Sequence, residues 1–556
     1  MKRKNIVFKA LTCGLASLAF TACTDTWETH YQPKPELNAT ETLWDLIQAD
    51  PELSKFEEIV KATGYDEILS QNRFYTVWAP VDGSDFYNQD IDWATLSDSM
   101  INVYKYEFVE NHIADYNHTA SGVMSDNLVE MLNGKYNRFE GAGNAYTFKG
   151  NNVIETNIAA KNGLLHKADN NAVFTANVWE QISKETSISA LTGYLKSFDE
   201  IFFDRANSVE GPKVNGQTTY LDSVVEETNV WFSRIGFLNR EDSSYTMFAP
   251  TNKAWDEAYE KAKHFFVFDE QTPNRDSLQE AMTKDFLCRH LVFSNTIQES
   301  PADSLTSISY GPSTSTVDRY NKEVFRGADR DRLYENLVKT VELSNGVLNI
   351  VDSYNYYNFW HDTLRIQGES LYGEPEGVDP AEYETCTKTY ESISKDSVEK
   401  YNQTSNGIIG IYTNNTPTGN PTLTYTIKNV LSAKYRVKVV IVPANFVDYR
   451  DSTYRPNKFN ASIKYRELSG KSSKSISLGK NIENNPYKVD TITLVPDKVA
   501  EGVDYIEFPT NEYDLQGSLP MLQLEIAGKV KARGEDDKYD RVLRIEQVFL
   551  EPVTEE

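Results

Sequence analysis

The chain has 556 residues, 40% hydrophobic and 12% aromatic, which is enough apolar sequence for about three or four folded domains. Its formal net charge is −26 at pH 7, and such a surface repels nucleic-acid phosphates and anionic lipid headgroups. No basic, aromatic-rich patch offsets this charge, so a nucleic-acid partner is excluded and a folded, acidic protein is expected.

Residues 1–22 have the layout of a secretory signal: basic residues first, an apolar stretch from Ile6 to Phe20, then small residues before Cys23. The small residues abutting a cysteine resemble a bacterial lipobox, and this resemblance implies lipidation of Cys23. Asp25 and Glu28 follow in a polar tether, residues 23–40, and resemble the signal that sends some lipoproteins to the outer face of the outer membrane. A tether facing the periplasm is the alternative.

Helices and a buried strand are predicted in the next part of the chain. Apolar residues spaced at i, i+3 and i+4 predict helices over Thr42–Ala49 and Leu53–Thr63, and a turn over Asp66–Ser70. A further helix is expected over Ser97–Glu110, with Ser97 as its N-cap. It leads to His112, which we interpret as a hydrogen-bonded core residue. Residues 123–158 alternate like hairpins, with turns at Asn133-Gly134 and Gly150-Asn151.

The chain contains a long repeat. Residues 75–82 (YTVWAPVD) are echoed by residues 245–252 (YTMFAPTN), each an apolar strand ended by proline, after which Asp82, Thr251 or Asn252 can cap the following segment. Asn162-Gly163 and Asn345-Gly346 each begin an apolar strand further on. A helix is predicted over Ala254–Ala262, and another over Ser183–Leu195 opens the second copy.

These motifs, in this order, resemble the fasciclin-like domain family. The Ala-Pro motif and the closing Asn-Gly-aliphatic motif match the family, whereas Asn111 and Arg289 stand before His112 and His290 where the family usually has Tyr. The resemblance implies an α+β fold with two tandem fasciclin-like domains, each a β-sandwich or wedge with packed helices. We place them at residues 41–182 and 183–353. Val209–Thr218 and Ser300–Asp318 are interpreted as solvent loops.

Residues 354–556 predict an all-β C-terminal sandwich, because short alternating strands and turns replace the helical pattern. The predicted strands are Thr422–Lys428, Tyr435–Val442, Ser462–Leu468, Val489–Leu494, Tyr505–Phe508, Met521–Ile526 and Val542–Leu550. An aromatic cluster, residues 354–360, precedes them. It is either packing between domains, which we favour, or a carbohydrate platform.

Catalytic and metal-binding motifs are missing from the sequence. Two acidic groups could be considered for calcium: Asp329-Arg330-Asp331, and Asp536-Asp537 with Asp540. Both lack the spacing of a recognised calcium loop, so we predict no metal, no cofactor and no enzyme activity.

Cys288 and Cys386 are either a cross-domain pair or, as we favour, two isolated buried thiols.

The layout resembles the accessory lipoproteins of SusC/SusD-like uptake systems in glycan-degrading Gram-negative gut bacteria. This resemblance implies a lipid-anchored outer-membrane protein that binds an oligosaccharide or polysaccharide, or docks on the transporter. The candidate ligand contacts are Tyr356 and Trp360 of the aromatic cluster, and Tyr412, Tyr425 and Tyr454 of the sandwich, which we expect to be exposed. The alternative function is adhesion or scaffolding, in which the fasciclin-like pair binds a protein partner.

Overall fold

The computed structural model describes residues 39–88, 91–206, 208–289, 291–294, 304–310, 322–354, 364–368, 386–392, 408–427, 430–447, 453–470, 473–498, 500, 502–511 and 522–553. Contacts between the described residues divide the chain into two compact units. One takes residues 1–175 with 201–227, and the other takes residues 176–200 with 228–556. Cys23, Tyr356, Trp360 and His290 lie outside the described residues.

The first repeat is a mixed sheet with helices packed on one side. Its elements are α1 (Leu43–Ala49), α2 (Ser54–Ala62), α3 (Tyr65–Leu69), β1 (Tyr75–Pro80), α4 (Asp98–Tyr104), β2 (Ile113–Asp115), β3 (Val123–Met124), β4 (Leu128–Glu130), β5 (Tyr136–Ala142), β6 (Ala145–Phe148), β7 (Asn151–Ala160) and β8 (Gly163–Ala168). The sheet order is β2-β1-β8-β7-β6-β5-β3, with β4 paired to β5. The helices cover β1 and β8 in one apolar cluster, and a second cluster surrounds Trp78.

The second repeat has the same central strands. Its elements are α5 (Val178–Lys184), α6 (Ser189–Lys196), β9 (Asp199–Phe203), β10 (Val209–Val214), β11 (Gln217–Asp222), β12 (Val225–Asn229), α7 (Phe232–Ile235), β13 (Tyr245–Pro250), α8 (Asn252–Ala262), α9 (Arg275–Leu287), β14 (Val292–Ser294), β15 (Ser304–Tyr310), β16 (Lys322–Arg326), α10 (Ala328–Tyr334), β17 (Leu337–Leu343) and β18 (Gly346–Val351). Its main sheet has the order β16-β15-β14-β13-β18-β17.

The register of the central strands confirms the duplication. Val77 of β1 is fully buried between Ile113 and Leu165. Met247 of β13 is buried in the same way between Val292 and Leu348. In both repeats the Ala-Pro strand is therefore antiparallel to one neighbour and parallel to the strand that follows the Asn-Gly pair.

The polar residues after the Ala-Pro strands cap helices, although not all of them cap the predicted segment. Thr251 accepts a hydrogen bond from Ala254 N and caps α8, as expected. Asp82 instead accepts from Lys55 N at 2.8 Å, at the start of α2. Asn252 accepts from Ala190 N at 2.8 Å, at the start of α6. These side chains tie the end of each strand to a helix that precedes it in the chain.

Several local expectations need correction. The helix after Ser97 ends at Tyr104, and one π-turn and one 3-10 turn lead from it to His112. The second copy opens at Val178 rather than Ser183, because Asn177 and Glu180 form a capping box that starts α5. Residues 209–218 belong to the β10–β11 hairpin, and Ser304–Tyr310 is a strand, so neither region is only a loop.

The β10–β11 hairpin follows α6 in the chain but belongs to the first compact unit. Leu221 of β11 packs against the apolar cluster that includes Tyr65 and Leu69 of α3. The first unit is therefore built from two separated stretches of chain.

The C-terminal region is a sandwich of two antiparallel sheets, as predicted. Its elements are β19 (Leu364–Gln367), β20 (Cys386–Ser392), β21 (Ile408–Asn414), β22 (Thr422–Ile427), β23 (Lys434–Ile441), α11 (Ala444–Val447), β24 (Lys458–Arg466), β25 (Ser473–Ser477), β26 (Ile482–Glu483), β27 (Asp490–Leu494), β28 (Ile506–Glu507), β29 (Leu522–Gly528) and β30 (Leu543–Pro552). One sheet has the order β20-β21-β30-β23-β27, and the other β22-β29-β24-β25. All seven predicted strands are present, and their inward side chains form one core.

The sandwich and the second repeat share one compact unit and are joined by an ion pair. Asp269, which follows α8, accepts a hydrogen bond from the Arg466 guanidinium at 2.8 Å, and its side chain is 1% exposed. Beside it, Glu270 N donates to Leu468 O at 2.8 Å and Ser432 N donates to Phe265 O at 3.1 Å. These contacts fix the sandwich on the second repeat.

Candidate functional site

Four loops lie at one end of the sandwich: the loop between β21 and β22, the segment before β24, the segment after β26, and the loop between β29 and β30. The chain there is held by Asn457, whose side-chain amide donates to the carbonyl oxygens of Asp540 at 2.9 Å and Val542 at 2.8 Å. Its backbone N–H donates to Asn484 Oδ1 at 2.6 Å. Because one buried asparagine connects three of these loops, their relative positions are fixed.

Two exposed tyrosines stack on each other at this end. The ring centroids of Tyr454 and Tyr487 are 5.1 Å apart and the ring planes make an angle of 24°. The residues are 48% and 67% exposed. Arg455 N donates to Thr453 O at 3.0 Å, which closes a three-residue turn with Tyr454 at its centre. Tyr487 N likewise donates to Asn485 Oδ1 at 2.9 Å. Both rings are therefore presented by tight turns; we call them the tyrosine pair.

A cleft of about 370 Å³ adjoins the tyrosine pair, because the two neighbours of Tyr454 in the chain both line it. The lining residues are Pro417, Thr453, Arg455, Asp536, Tyr539, Asp540, Arg541 and Arg544. This volume lies near the lower end of the range of about 300 to 1,000 Å³ for small-molecule sites. The cleft thus places charged groups and hydroxyls beside an exposed aromatic surface.

Ion pairs fix the walls of the cleft. Arg541 donates to Asp536 Oδ1 through Nε and Nη2, at 2.8 and 2.7 Å. Arg544 donates to Asp540 Oδ2 at 2.6 Å. Tyr539 donates to Glu483 Oε1 at 2.6 Å, and this hydrogen bond to a carboxylate raises the pKa of Tyr539. The hydroxyl therefore stays protonated at neutral pH and can contribute to polar recognition.

Arg455 differs from the other two arginines of the cleft. Its Nη1 donates to the backbone carbonyl of Asp536 at 2.7 Å. Among the described residues no carboxylate pairs with it, whereas Arg541 and Arg544 each have an aspartate. Arg455 is exposed, so its guanidinium is accessible beside Tyr454.

Of the three predicted contact residues that the structure describes, it brings one to this surface. Tyr454 is exposed, but the expectation that Tyr412 and Tyr425 are exposed is wrong, since they are 2% and 0% exposed. Both rings belong to the sandwich core, and Tyr412 donates its hydroxyl hydrogen to Gly368 O at 2.6 Å. Neither ring can contact a ligand without unfolding the core.

Sequence reasoning missed Tyr487, Arg455 and the cleft. One signal for Tyr487 is present in the sequence: it follows Asn484-Asn485-Pro486, a turn pattern that exposes an aromatic residue. No local signal marks the cleft, because its residues come from three separate stretches of the chain, at positions 417, 453–455 and 536–544. The pairing of β22 and β24 with β29 brings these stretches to one end of the sandwich.

A second cavity, about 630 Å³, lies beside the junction of the second repeat and the sandwich. It is lined by Glu270, Thr272, Asn274, Arg275, Asp276 and Ser277. All these residues are polar or charged. The described lining of this cavity thus lacks the aromatic groups found at the loop end of the sandwich.

Two histidines of the first repeat, His112 and His166, are core residues, as predicted for His112. Nδ1 of His112 contacts Phe108 O at 2.7 Å, and its Nε2 accepts from Ala172 N at 2.8 Å. His166 stacks on Trp78 with ring centroids 5.5 Å apart. Burial lowers the pKa of each histidine to about 4. Both rings are therefore neutral at physiological pH.

The structure also bears on the predictions about metal binding, the cysteines and the aromatic cluster. Within the described ranges, no group of three or more His, Cys, Asp or Glu side chains is placed to hold a metal ion. Cys288 is a buried free thiol, as predicted, and burial raises its pKa. Tyr354, the first residue of the aromatic cluster, is buried and donates to Leu287 O.

No helix in the described part of the chain has both the length and the apolar character needed to cross a membrane.

Comparison with known families agrees with the two repeats. The model of the fasciclin domain matches residues 51–171 and 224–354. The chain contains two tandem fasciclin domains. Fasciclin domains are non-catalytic domains of an adhesion type. Each matched range contains one Ala-Pro strand and one Asn-Gly turn.

One similar solved structure is a fasciclin domain pair from the insect cell adhesion molecule Fasciclin I. It has 14% sequence identity, and the alignment covers 54% of this chain and 96% of that chain with a TM-score of 0.19. The comparison with curated proteins found no significant match.

Proposed function

We propose that this protein is a non-catalytic, lipid-anchored cell-surface protein that binds a glycan through the loop end of its sandwich. It would act as an accessory component of a SusC/SusD-like outer-membrane uptake system. The observation that supports binding is the exposed tyrosine pair beside a polar cleft. Flat aromatic rings cover the apolar faces of sugars, while fixed polar groups bind the hydroxyls.

The tyrosine pair is suited to recognition because it is already ordered. A turn holds the backbone at each tyrosine and the two rings stack on each other, which lowers the conformational entropy cost of ligand binding. The loops that carry the rings are joined by Asn457. The fasciclin domains would then position this surface, and the lipid on Cys23 would hold it at the membrane.

Affinity electrophoresis in gels containing plant, fungal and host glycans tests the binding. We expect retardation of the wild-type protein and at least a tenfold weaker affinity for Tyr454→Ala and Tyr487→Ala, about 1.4 kcal/mol. Tyr116→Ala is the matched control, because Tyr116 is 77% exposed on the first fasciclin domain. Equal retardation of all four proteins would exclude the tyrosine pair as the contact, and absence of retardation in every gel would exclude glycan binding.

The anchor and the transporter are tested separately. Metabolic labelling with palmitate should label the wild-type protein and not Cys23→Ala, and only the wild-type protein should fractionate with membranes. Purification of the lipidated protein from its own membrane should recover a barrel transporter with it. Membrane fractionation of Cys23→Ala would contradict the anchor.

Adhesion to a protein partner is the second candidate function, and one observation favours it. Phe74 and Tyr116 of the first fasciclin domain are adjacent, exposed aromatic residues, and Tyr116 N donates to Phe74 O at 2.9 Å. Tyr116 has a φ of 65°, a conformation that is strained for a bulky residue. Under this function Phe74→Ala and Tyr116→Ala would abolish cell adhesion to immobilised host matrix, and Tyr454→Ala would not.

A further inference from the structure

The charge balance of the cleft limits the ligand that it can bind. Among the described residues, three arginines and two aspartates line it, in a chain whose net charge is −26. Each aspartate is neutralised by an arginine from the same wall. The remaining positive charge is that of Arg455, which contacts only a backbone carbonyl among the described residues.

A guanidinium in this position matches a carboxylate. Arginine presents parallel N–H groups that donate to both oxygens of a carboxylate, and such charged hydrogen bonds are about twice as strong as neutral ones. One nitrogen of Arg455 holds Asp536 O, which orients the guanidinium, and within the described part of the chain its other N–H groups have no partner. A ligand carboxylate would give Arg455 a carboxylate partner, as Asp536 does for Arg541 and Asp540 for Arg544.

We propose that the ligand is an acidic glycan, in which a uronic-acid carboxylate binds Arg455 while a sugar ring packs on the tyrosine pair. This inference rests on the proposed function, and it adds the class of sugar. Arg455 directly follows Tyr454 in a closed turn, so the backbone carries the two contact residues side by side. A sugar carboxylate is attached to the ring itself, so one residue of the glycan can make both contacts.

The experiment compares polymers that differ only in their carboxylates. Polygalacturonate, alginate and hyaluronan are each used before and after chemical reduction of the carboxyl groups to hydroxymethyl groups, and binding to the wild-type protein is measured by isothermal titration calorimetry. We expect at least one of the acidic polymers to bind, and its reduced form to bind at least tenfold more weakly.

Variants test whether Arg455 is responsible for the preference for acidic polymers. Arg455→Gln should bind the acidic and reduced polymers equally, and Arg455→Lys should keep part of the difference. Arg533→Gln is the matched control, since Arg533 is exposed, does not line the cleft and changes the net charge by the same amount. Unchanged thermal melting would show that the variants are folded.

The outcomes separate this inference from the function on which it rests. Equal binding of acidic and reduced polymers, or preference for neutral glycans that depends on Tyr454, would overturn the acidic ligand and leave glycan binding intact. A preference for the acidic form that persists in Arg455→Gln would overturn the role of Arg455. Failure of every polymer and every neutral glycan to bind would overturn both.

Discussion

Asn162 and Asn345 make the same three hydrogen bonds in the two fasciclin domains. The Asn162 amide donates to Leu69 O and Gln71 O, both at 2.7 Å, and its oxygen accepts from Leu43 N at 2.8 Å. The Asn345 amide donates to Leu238 O and Arg240 O, both at 2.8 Å, and its oxygen accepts from Val178 N at 2.9 Å. Each asparagine joins the first residue of a helix to the segment before the Ala-Pro strand.

Replacement of Asn162 by Ala should destabilise the first fasciclin domain. The substitution leaves three backbone groups without their partner, and an unsatisfied buried polar group costs about 1–3 kcal/mol. We expect a total loss of at least about 2 kcal/mol. Hydrogen exchange measured by mass spectrometry would report it as faster exchange in α1 and β8. Asn88→Ala, at an exposed position, is the control and should change stability by less than about 0.5 kcal/mol.

The glycine that follows each asparagine should resist substitution. A Cβ on Gly163 would lie 1.9 Å from Tyr75 O, and one on Gly346 would lie 1.9 Å from Tyr245 O. Both glycines also have φ near 150°, a region that other residues rarely adopt. Gly163→Ala should therefore lower the urea midpoint strongly or prevent folding. Gly83→Ala, where no atom lies within 4 Å, should leave the midpoint nearly unchanged; equal effects would contradict the close approach.

The first fasciclin domain should lose stability in mild acid. Burial lowers the pKa of His112 and His166 from 6.5 to about 4, so the unfolded chain binds protons that the folded chain does not. Their contribution to stability is complete above pH 6.5 and is lost as pH falls towards 4. At about 1.4 kcal/mol per pH unit, each histidine accounts for a loss of up to about 3 kcal/mol.

Urea unfolding at pH 7.5, 5.5 and 4.5 and constant ionic strength tests this pH dependence. Variants His112→Gln and His166→Gln should each show a smaller loss between pH 7.5 and 4.5, whatever their stability at neutral pH. His264→Gln, at an exposed position, should show the same loss of stability between pH 7.5 and 4.5 as the wild-type protein. If none of the three substitutions changes the dependence of unfolding free energy on pH, carboxylates rather than histidines cause the acid sensitivity.

Loss of Asp269 should weaken the junction between the sandwich and the second fasciclin domain. Asp269→Ala leaves Arg466, whose side chain is only 15% exposed, without its carboxylate. Removal of one partner from a buried pair costs about 3–5 kcal/mol. Limited proteolysis should then cut near residue 270 faster than in the wild type.

Two further variants distinguish the lost pair from a general disturbance. Asp269→Ala with Arg466→Met should recover much of the stability, because no unpaired charge remains. Glu467→Ala breaks the neighbouring but exposed pair with Lys474 and should cost less than about 1 kcal/mol. Equal proteolysis of Asp269→Ala and Glu467→Ala would show that the ion pair does not hold the junction.

Sequence patterns predicted the parts of the fold that depend on periodicity. Residues 422–427 alternate, and the strand over Thr422–Ile427 follows that pattern. The same alternation places Tyr425 on one face with Leu423 and Ile427, which indicates burial, and the prediction of an exposed Tyr425 overlooked it. Both fasciclin domains were predictable because their motifs are local.

The binding surface was only partly predictable, since it depends on contacts between distant residues. Tyr454 was predicted as a contact, but its partner Tyr487 lies on another loop and nothing in the spacing connects them. Asn162 was predicted as a turn residue. Its role in joining a helix to a strand depends on backbone groups about a hundred positions earlier in the chain.

The hairpin formed by β10 and β11 affects how the protein can be divided for expression. The first compact unit needs residues 201–227, yet Ala176–Glu200 in between belong to the other unit. A truncation after residue 182 would expose the apolar side of α3 where Leu221 packs. Fragments made by a single cut would each be incomplete. Expression of the first compact unit alone therefore requires a gene in which a short linker replaces residues 176–200.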